Sequence, residues 1–346
     1  MTTAYVFHPL YLEHEQWGHP ESPERLTRTM AALNASPLKP RLVPLEPKPI
    51  PLEYLQLVHT SSYIAHIHDQ AVSGGGAWRG GETFVCPESY DAAIMAAGGF
   101  VTLVEAVVRG DLTNGFALVR PPGHHASSDQ GEGFCLFNNI AVAARVARQE
   151  LGIARVLIVD WDLHHGQGTQ YTFYDDPTVL YFSTHQWGIY PGTGHWSETG
   201  GTEAEGTTVN VPLPAGVGDI GYARVFDELL VPLAQRFDPE LILVSAGYDT
   251  HWSDPLGSMT VTVAGYGMMT HKLVALANQL PSTHGRIAFT LEGGYNLDAI
   301  AYGVLATLGA MLGDTSVADP LGPPYRRETP LDHKYVHQLR ALHGLP

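Results

Sequence analysis

The chain is poor in cysteine and in positive charge, and it contains neither repeats nor low-complexity tracts. Its two cysteines, Cys86 and Cys135, form no CxxC pair and no framework of bridges, which excludes a disulfide-stapled scaffold and fits a reducing compartment. Nineteen Lys and Arg stand against 35 Asp and Glu, for a formal net charge of -16. That balance argues against nucleic acid or an anionic membrane as the main partner. No basic stretch followed by an apolar one opens the chain and no apolar run of about 18 residues occurs, so the expected location is the cytosol. Charged residues make up 16% and apolar residues 44% of 346, the composition of an ordinary globular protein. A folded unit of this length buries roughly three quarters of its unfolded surface and needs no staples. An acidic surface would draw in a cationic substrate, but it also serves solubility, so the charge alone names no ligand.

What is present concentrates in one stretch, Val159-Asp160-Trp161-Asp162-Leu163-His164-His165-Gly166-Gln167-Gly168. The run 155–159, apolar after Arg155, leads into it, as in a strand covered on both faces. In an extended chain alternate residues share a face, so Asp160, Asp162 and His164 would point one way while Trp161 and Leu163 pack the other. Two carboxylates and an imidazole at a strand end suit a divalent metal with an open coordination position. On this stretch alone, a satisfied polar cluster closing the strand remains the alternative.

Elsewhere the punctuation is consistent. A short strand is expected at 4–7, then a polar loop in which Ser22 caps a helix that begins at Pro23 and carries Arg25 in its first turn. A cation there opposes the helix dipole, so Arg25 is either held for another purpose or sits in a surface ion pair. Prolines at 37, 40, 44, 47, 49 and 51 leave no room for a helix and read as a rigid surface connection. Gly74 to Gly76 and Gly80-Gly81 flank Trp78 in a flexible loop beside a pocket mouth, with Glu82 after it. No strand leads in and no GxGxxG or GK[ST] is present, against a phosphate cradle. Helical spacing runs over 90–108, ended by Gly110, and Asn138 is placed to cap a helix reaching about Leu151.

Strands expected at 116–119, 155–159, 178–182, 241–245 and 286–291 each deliver polar groups at their carboxyl ends, and a further strand is read at 207–211. Ligands of open parallel sheets bind there. With helices at 218–237 and 261–280 between strands, these are βα units of a doubly wound α/β domain, and the proline-interrupted tail from Ser316 turns helical over 331–342. The first of these strands runs into Arg120-Pro121-Pro122-Gly123-His124-His125, two imidazoles on a stiff turn, which resemble acid/base machinery.

Four motifs in order, PPGHHA, VDWDLHHGQGTQ, AGYDTHWSDPLG and LEGGYN, resemble the zinc-dependent histone deacetylase family, especially its class II branch with the bacterial deacetylase-like amidohydrolases and the acetylpolyamine amidohydrolases. The resemblance spans about residues 4–310. It implies an arginase-like three-layer α/β/α sandwich around a central, mostly parallel sheet, and one catalytic domain over 1–346. It further implies one Zn²⁺ on Asp162, His164 and Asp249, which polarises an amide carbonyl and activates water. His124 and His125 match the family's tandem histidines, Asp160 the partner of His124, and Tyr295 the hydroxyl that donates to the transition state. Gln167 stands where class I members carry aspartate and class II members asparagine. With this neutral partner, His125 is expected to keep the lower pKa and to act as general base and then acid, with His124 as electrostatic support.

The resemblance also implies that Phe134 and Tyr190 wall an acyl-lysine tunnel, where Tyr190 replaces the usual phenylalanine, and that Gly133 lets the substrate pass close to the backbone. Glu82 lies near the rim position that anchors the substrate backbone, and Arg25 matches the arginine of an acetate-release channel. A structural K⁺ beside the zinc would use Asp160, Asp162, His164, Ser183 and Thr184, and a second K⁺ would use Phe173, Asp176 and Val179. Leu256 stands where polyamine-selective relatives can carry a glutamate, which favours acyl-lysine in peptides or proteins over acetylated polyamines. A homo-oligomer is compatible with the sequence. An arginase-type ureohydrolase would bring more Asp and His ligands for two metals, and a silent acyl-lysine binding module would have less need of both histidines and Tyr295. The other histidines, including His59, His66, His68 and His251, read as surface or structural residues.

Overall fold

The computed structural model describes residues 2–78, 81–315 and 318–346. Gly80 and Ser316, on which the loop and tail readings lean, lie outside the described residues. The strands are β1 (Thr3–Val6), β2 (Val43–Leu45), β3 (Gly76–Ala77), β4 (Phe84–Val85), β5 (Asn114–Ala117), β6 (Val156–Asp160), β7 (Val179–Gln186), β8 (Thr208–Leu213), β9 (Leu241–Ala246) and β10 (Ile287–Leu291). Eight of them form one sheet in the order β2-β1-β5-β10-β9-β6-β7-β8. Every pair in it is parallel. Runs such as Val156 to Val159 and Leu241 to Val244 are buried throughout, as strands sandwiched between two helical layers must be.

This order places the site. β5 and β6 are consecutive in the chain but separated in the sheet by β10 and β9, and such a switch opens a crevice beyond the carboxyl ends of the strands. Asp160 pairs in register with Ser183 on one side and Ser245 on the other, so β6, β7 and β9 present their ends at one level. The five strands expected to carry polar groups, β5, β10, β9, β6 and β7, are five neighbours at the middle of the sheet.

Helix ends follow the expected signals in part. Asn138 caps helix Asn139–Glu150, its Oδ1 accepting the Ala141 N–H at 3.0 Å, and Gly110 ends helix Ser89–Arg109 with φ 82°. The latter is long and apolar enough to cross a membrane, but it is largely buried and packs on helix Asn139–Glu150 and on β5. Ser22 makes no side-chain cap. Pro23 itself takes the cap position of helix Glu24–Ala35, one residue later than expected. The single helix read over 218–237 is Asp219–Val225, a π turn Phe226–Leu230 and Val231–Phe237. Pro232 lies in the first turn of the last segment, and the widened turn ahead of it absorbs the missing N–H and the ring's bulk.

One expectation fails because neighbours remote in sequence shape a local segment. The proline-rich stretch includes an edge strand, β2, where Pro44 needs no ladder bond on its open side. Further on, the N–H of buried Ile50 donates to Ile94 O at 3.1 Å, so part of the segment is packed and not a surface connection. The glycine loop is framed by β3 and β4, which pair as a small antiparallel hairpin, and its residues Gly81 and Glu82 line cavities as expected of a pocket mouth, while Trp78 is buried against Tyr63 and His66.

Candidate active site

β6 stops at Asp160, and a turn pinned by carboxylates carries the next residues. The Asp162 N–H donates to Asp160 Oδ1 (3.1 Å), the His164 N–H to Asp162 Oδ1 (2.9 Å), the Leu163 N–H to Asp249 Oδ1 (2.9 Å) and the Gly293 N–H to Asp162 Oδ2 (2.8 Å). Extended alternation therefore does not continue to His164. The turn brings Asp162, His164 and Asp249 together, with one ligand atom from each lying within 4.8 Å of the others. Trp161 and Leu163 are buried. His164 Nδ1 lies 3.3 Å from Asp162 Oδ1 and 3.1 Å from Asp249 Oδ2. Burial works against its charge, but the two carboxylates prevail and push its pKa up to about 10. A positive charge belongs between these groups, and two carboxylates with one imidazole are a donor set that Zn²⁺ accepts. Gly247 leaves room for the Asp162 carboxylate, because a Cβ there would meet Asp162 Oδ2 at 2.0 Å.

The tandem histidines come from the turn after β5 and end in different surroundings. His124 Nδ1 lies 3.0 Å from Asp160 Oδ2, which also accepts the Tyr181 hydroxyl at 3.0 Å. Burial opposes its charge, yet Asp160, Asp162 and Glu292 outweigh it and lift the pKa to about 10. His125 Nδ1 contacts an amide, Gln167 Oε1, at 2.6 Å. Burial holds its pKa well below the usual histidine value, and the His124 and His164 cations push the same way. The two neighbours are thus pushed in opposite directions, His124 upward by carboxylates and His125 downward by burial. Gln167 continues outward, its Nε2 3.0 Å from Glu132 Oε2.

Glu292, left unassigned by sequence reasoning although it ends β10, fixes this turn. One oxygen accepts the N–H groups of Gly123 (2.8 Å) and His124 (3.2 Å), and the other accepts the Ser245 hydroxyl (2.8 Å). Burial raises its pKa to about 7, tempered by the charge of His124.

A cavity of about 220 Å³ opens over His125, His164 and Tyr295. Its walls include all five residues expected to shape the tunnel, Glu82, Gly133, Phe134, Tyr190 and Leu256, together with Ile189. The rings of Tyr190 and His125 meet edge-on at 5.1 Å, and those of Phe134 and Tyr295 at 5.7 Å. Tyr190 and Leu256 are 42% and 40% exposed, so they form the mouth and not the floor.

Three supports were not foreseen. Asp254 Oδ2 accepts the N–H groups of Tyr295 (2.7 Å) and Asn296 (3.1 Å), while its Oδ1 accepts the Leu256 N–H (2.9 Å). His165 contacts Thr193 Oγ1 at 2.8 Å and His185 contacts Gly194 O at 3.0 Å, tying down the loop that carries Tyr190. Asp254 and His165 stand inside motif stretches, the one signal the sequence offers, and His185 lies near the end of β7, outside them.

Arg25 is fully buried, which overturns the surface ion pair as a reading. Its Nε donates to Gly294 O at 2.7 Å, Nη1 to Glu21 Oε1 at 2.9 Å and Nη2 to Glu292 O, and its guanidinium lies 5.1 Å from the centre of the Tyr295 ring. Arg120 shares Glu21, donating to Oε2 at 2.7 Å. Ser183 and Thr184 flank Asp160, the Thr184 hydroxyl lying 3.4 Å from Asp160 O. Phe173, Asp176 and Val179 meet in one turn, where Asp176 N donates to Phe173 O and Val179 N to Asp176 O. The Asp176 carboxylate is already taken by Arg145 and Arg148. His59 and His251 are buried, His59 accepting the Asn138 N–H at 2.9 Å, and serve structure.

A parallel sheet whose central strand ends gather an Asp-His-Asp cluster, two adjacent histidines with different partners and a phenol defines a metal-dependent hydrolase of the arginase-like α/β type. Known proteins narrow this further. The family description "Histone deacetylase domain" matches residues 19–311. A "Probable deacetylase" of Archaeoglobus fulgidus is 42% identical over 317 residues, covering 90% of this chain and 87% of its own length. "Histone deacetylase 14, chloroplastic" of Arabidopsis thaliana is 39% identical over 353 residues, covering 96% and 83%. "Polyamine deacetylase HDAC10" of Homo sapiens is 40% identical over 343 residues, covering 94% of this chain and 50% of that one. The solved "HDA15 HD domain" superposes with a TM-score of 0.88 at 37% identity, over 99% of this chain and 95% of that one. The chain belongs to the histone deacetylase family, whose members are zinc-dependent, and is a hydrolase acting on amides.

Proposed function

We propose that the protein hydrolyses the Nε-acyl amide of lysine in peptides or proteins, releasing the free amine and a carboxylate. The observation that carries this reading is the cavity itself: an aromatic passage between Phe134 and Tyr190, with apolar Leu256 at its mouth, ends on His125 and Tyr295. Such walls suit the four-carbon stem of lysine. One Zn²⁺ held by Asp162, His164 and Asp249 supplies Lewis-acid polarisation of the carbonyl and a water of lowered pKa when bound. His125, neutral and bare at Nε2 when Gln167 accepts its Nδ1 proton, takes the proton of the attacking water. As the carbon–oxygen bond forms, Tyr295 donates its hydroxyl proton to a hydrogen bond on the developing oxyanion. His125 then gives its proton to the amine as the carbon–nitrogen bond breaks. His124 stays protonated beside Asp160 and lends its charge throughout.

Arg25, beneath Tyr295 and paired with Glu21, supports a role in passage of the released acetate. The clustering of Thr184 and Ser183 with Asp160 supports a structural K⁺ held by carbonyls and hydroxyls. At Phe173, Asp176 and Val179 a second K⁺ would depend on carbonyls, because two arginines already neutralise the carboxylate.

Acetylated polyamines are the second reading, favoured by Glu82 on the same cavity wall and by the polyamine deacetylase among the relatives. The deciding measurement is kcat/KM of the zinc-loaded protein on an acetyl-lysine peptide and on an acetylated polyamine, with Tyr295→Phe as control. The peptide is expected to be preferred, and the control to lose roughly 10²- to 10³-fold in turnover. A polyamine preference would keep the mechanism and overturn the substrate. A loss below about threefold in Tyr295→Phe would remove the phenol from it.

A further inference from the structure

The hydrogen bonds behind His125 continue past Gln167 to a carboxylate. His125 Nδ1, the Gln167 amide and Glu132 Oε2 form one line, with separations of 2.6 Å and 3.0 Å. We infer that Glu132 is a positioning residue for the reaction, acting through Gln167 to keep the proton of neutral His125 on Nδ1. The inference rests on the reading of His125 as general base.

An amide beside an imidazole admits two arrangements. With the amide oxygen toward the ring, Nδ1 carries the proton and Nε2 is a base facing the cavity. With the NH₂ toward the ring, Nδ1 must be bare, the proton moves to Nε2, and no base faces the substrate. Nothing in the pair His125–Gln167 chooses between them. Glu132 does, because an ionised carboxylate accepts and cannot donate, so the nitrogen of the amide must face it and the oxygen must face His125. The same alignment serves the charged intermediate. When His125 becomes a cation, the chain Nδ1–H, amide and carboxylate polarises in one direction and strengthens.

Glu132 is itself held in place. Gln130 Nε2 donates to its other oxygen, Oε1, and the Cys135 N–H donates to its carbonyl at 2.8 Å, closing a turn that leads directly into Gly133 and Phe134. The length of Gln167 belongs to this arrangement. A side chain one methylene shorter would have to withdraw from either His125 or Glu132, so the departure at 167 and the carboxylate at 132 form a matched pair.

The test is a double-mutant cycle in the zinc-loaded full chain on an acetyl-lysine peptide, with Glu132→Gln, Glu132→Ala, Gln167→Ala and the double variants. Each Glu132 variant is expected to lower kcat on the order of 10- to 100-fold with KM little changed, and neither should add a further loss once Gln167 is alanine. ¹⁵N NMR of His125 should show the proton on Nδ1 in the wild type and a mixture of tautomers in Glu132→Gln. A kcat change under about twofold, an equal loss with and without Gln167, or an unaltered tautomer would overturn the inference. The tautomer measurement needs no turnover. A wild type inactive on every acyl substrate would therefore count against the general-base reading, while Glu132 would still stand or fall on the spectrum.

Discussion

Gly133 lies directly against the ring of His125: a Cβ on it would sit 2.2 Å from His125 Cδ2, at a backbone φ of 52°. The absence of a side chain at 133 thus sets where the proposed base stands. Gly133→Ala must push that ring aside, and a displacement near 1 Å is expected to cost about 100-fold in kcat. Steady-state kinetics beside a thermal melt checks this; an active variant would show that the ring has room to move.

Asp254 joins the two sides of the cavity, accepting N–H groups from Tyr295 and from Leu256. Asp254→Asn replaces one accepting oxygen with a donor facing another donor. The variant should lose about 1 to 3 kcal/mol in urea unfolding, with a larger proportional fall in kcat than in 1/KM, because Tyr295 moves. Stability lost with turnover intact would separate Asp254 from Tyr295.

Chelation should abolish activity and lower the melting temperature, with both restored by Zn²⁺. At about a thousand times its Kd, zinc binding adds about 4 kcal/mol to the folded state. In Asp249→Ala the rise in melting temperature on adding zinc should be much reduced. A melting temperature indifferent to zinc in the wild type would count against the assignment of Asp162, His164 and Asp249 as the ligand set.

Acid should destabilise the fold through two buried groups near Arg25. His14 is held neutral, chiefly by burial and further by Arg120, with its pKa lowered from 6.5 to about 3 against the pull of Glu21. Below pH 6.5 the unfolded chain takes up a proton that folded His14 refuses, so stability falls as pH drops toward 3. Burial would raise the pKa of Glu21, but Arg120 and Arg25 lower it from 4.5 to about 2. Its contribution is complete above pH 4.5 and is lost as pH falls toward 2, the same sign in a lower window. Urea midpoints should therefore decline from pH 7 to 5 and more steeply below 4.5. Glu21→Gln should cost about 3 to 5 kcal/mol at pH 7, because it leaves two buried guanidinium groups short of charge.

What could be read in the sequence was whatever local chemistry determines. An apolar run that ends in Asp160, a glycine that stops the helix at 110 and an asparagine at 138 that caps the next one all act over a few residues. The four motifs contain the metal cluster, the tandem histidines and Tyr295 because each sits at a strand end, where the sheet aligns neighbours. What was not legible depends on partners far along the chain. β2 forms because β1 is there to pair with it. Arg25 is buried because Glu21, Gly294 and Glu292 surround it. Trp78 is buried because Tyr63 and His66 of an earlier helix pack against it. Asp254, Glu292 and Glu132 work through backbone or amide groups of other residues, and no spacing announces such a bond.

The strand order carries a consequence for the protein's synthesis. β10, at the end of the sheet's sequence, is inserted in its middle, between β5 and β9. Until residue 291 has left the ribosome, the strand that joins β2-β1-β5 to β9-β6-β7-β8 is missing, and the edges of β5 and β9, four and six residues long, lack their shared partner. The proposed phenol at 295 follows only four residues later. Folding is therefore dominated by late, long-range closure, and chains stalled before β10 are the ones chaperones must shield from edge-to-edge association.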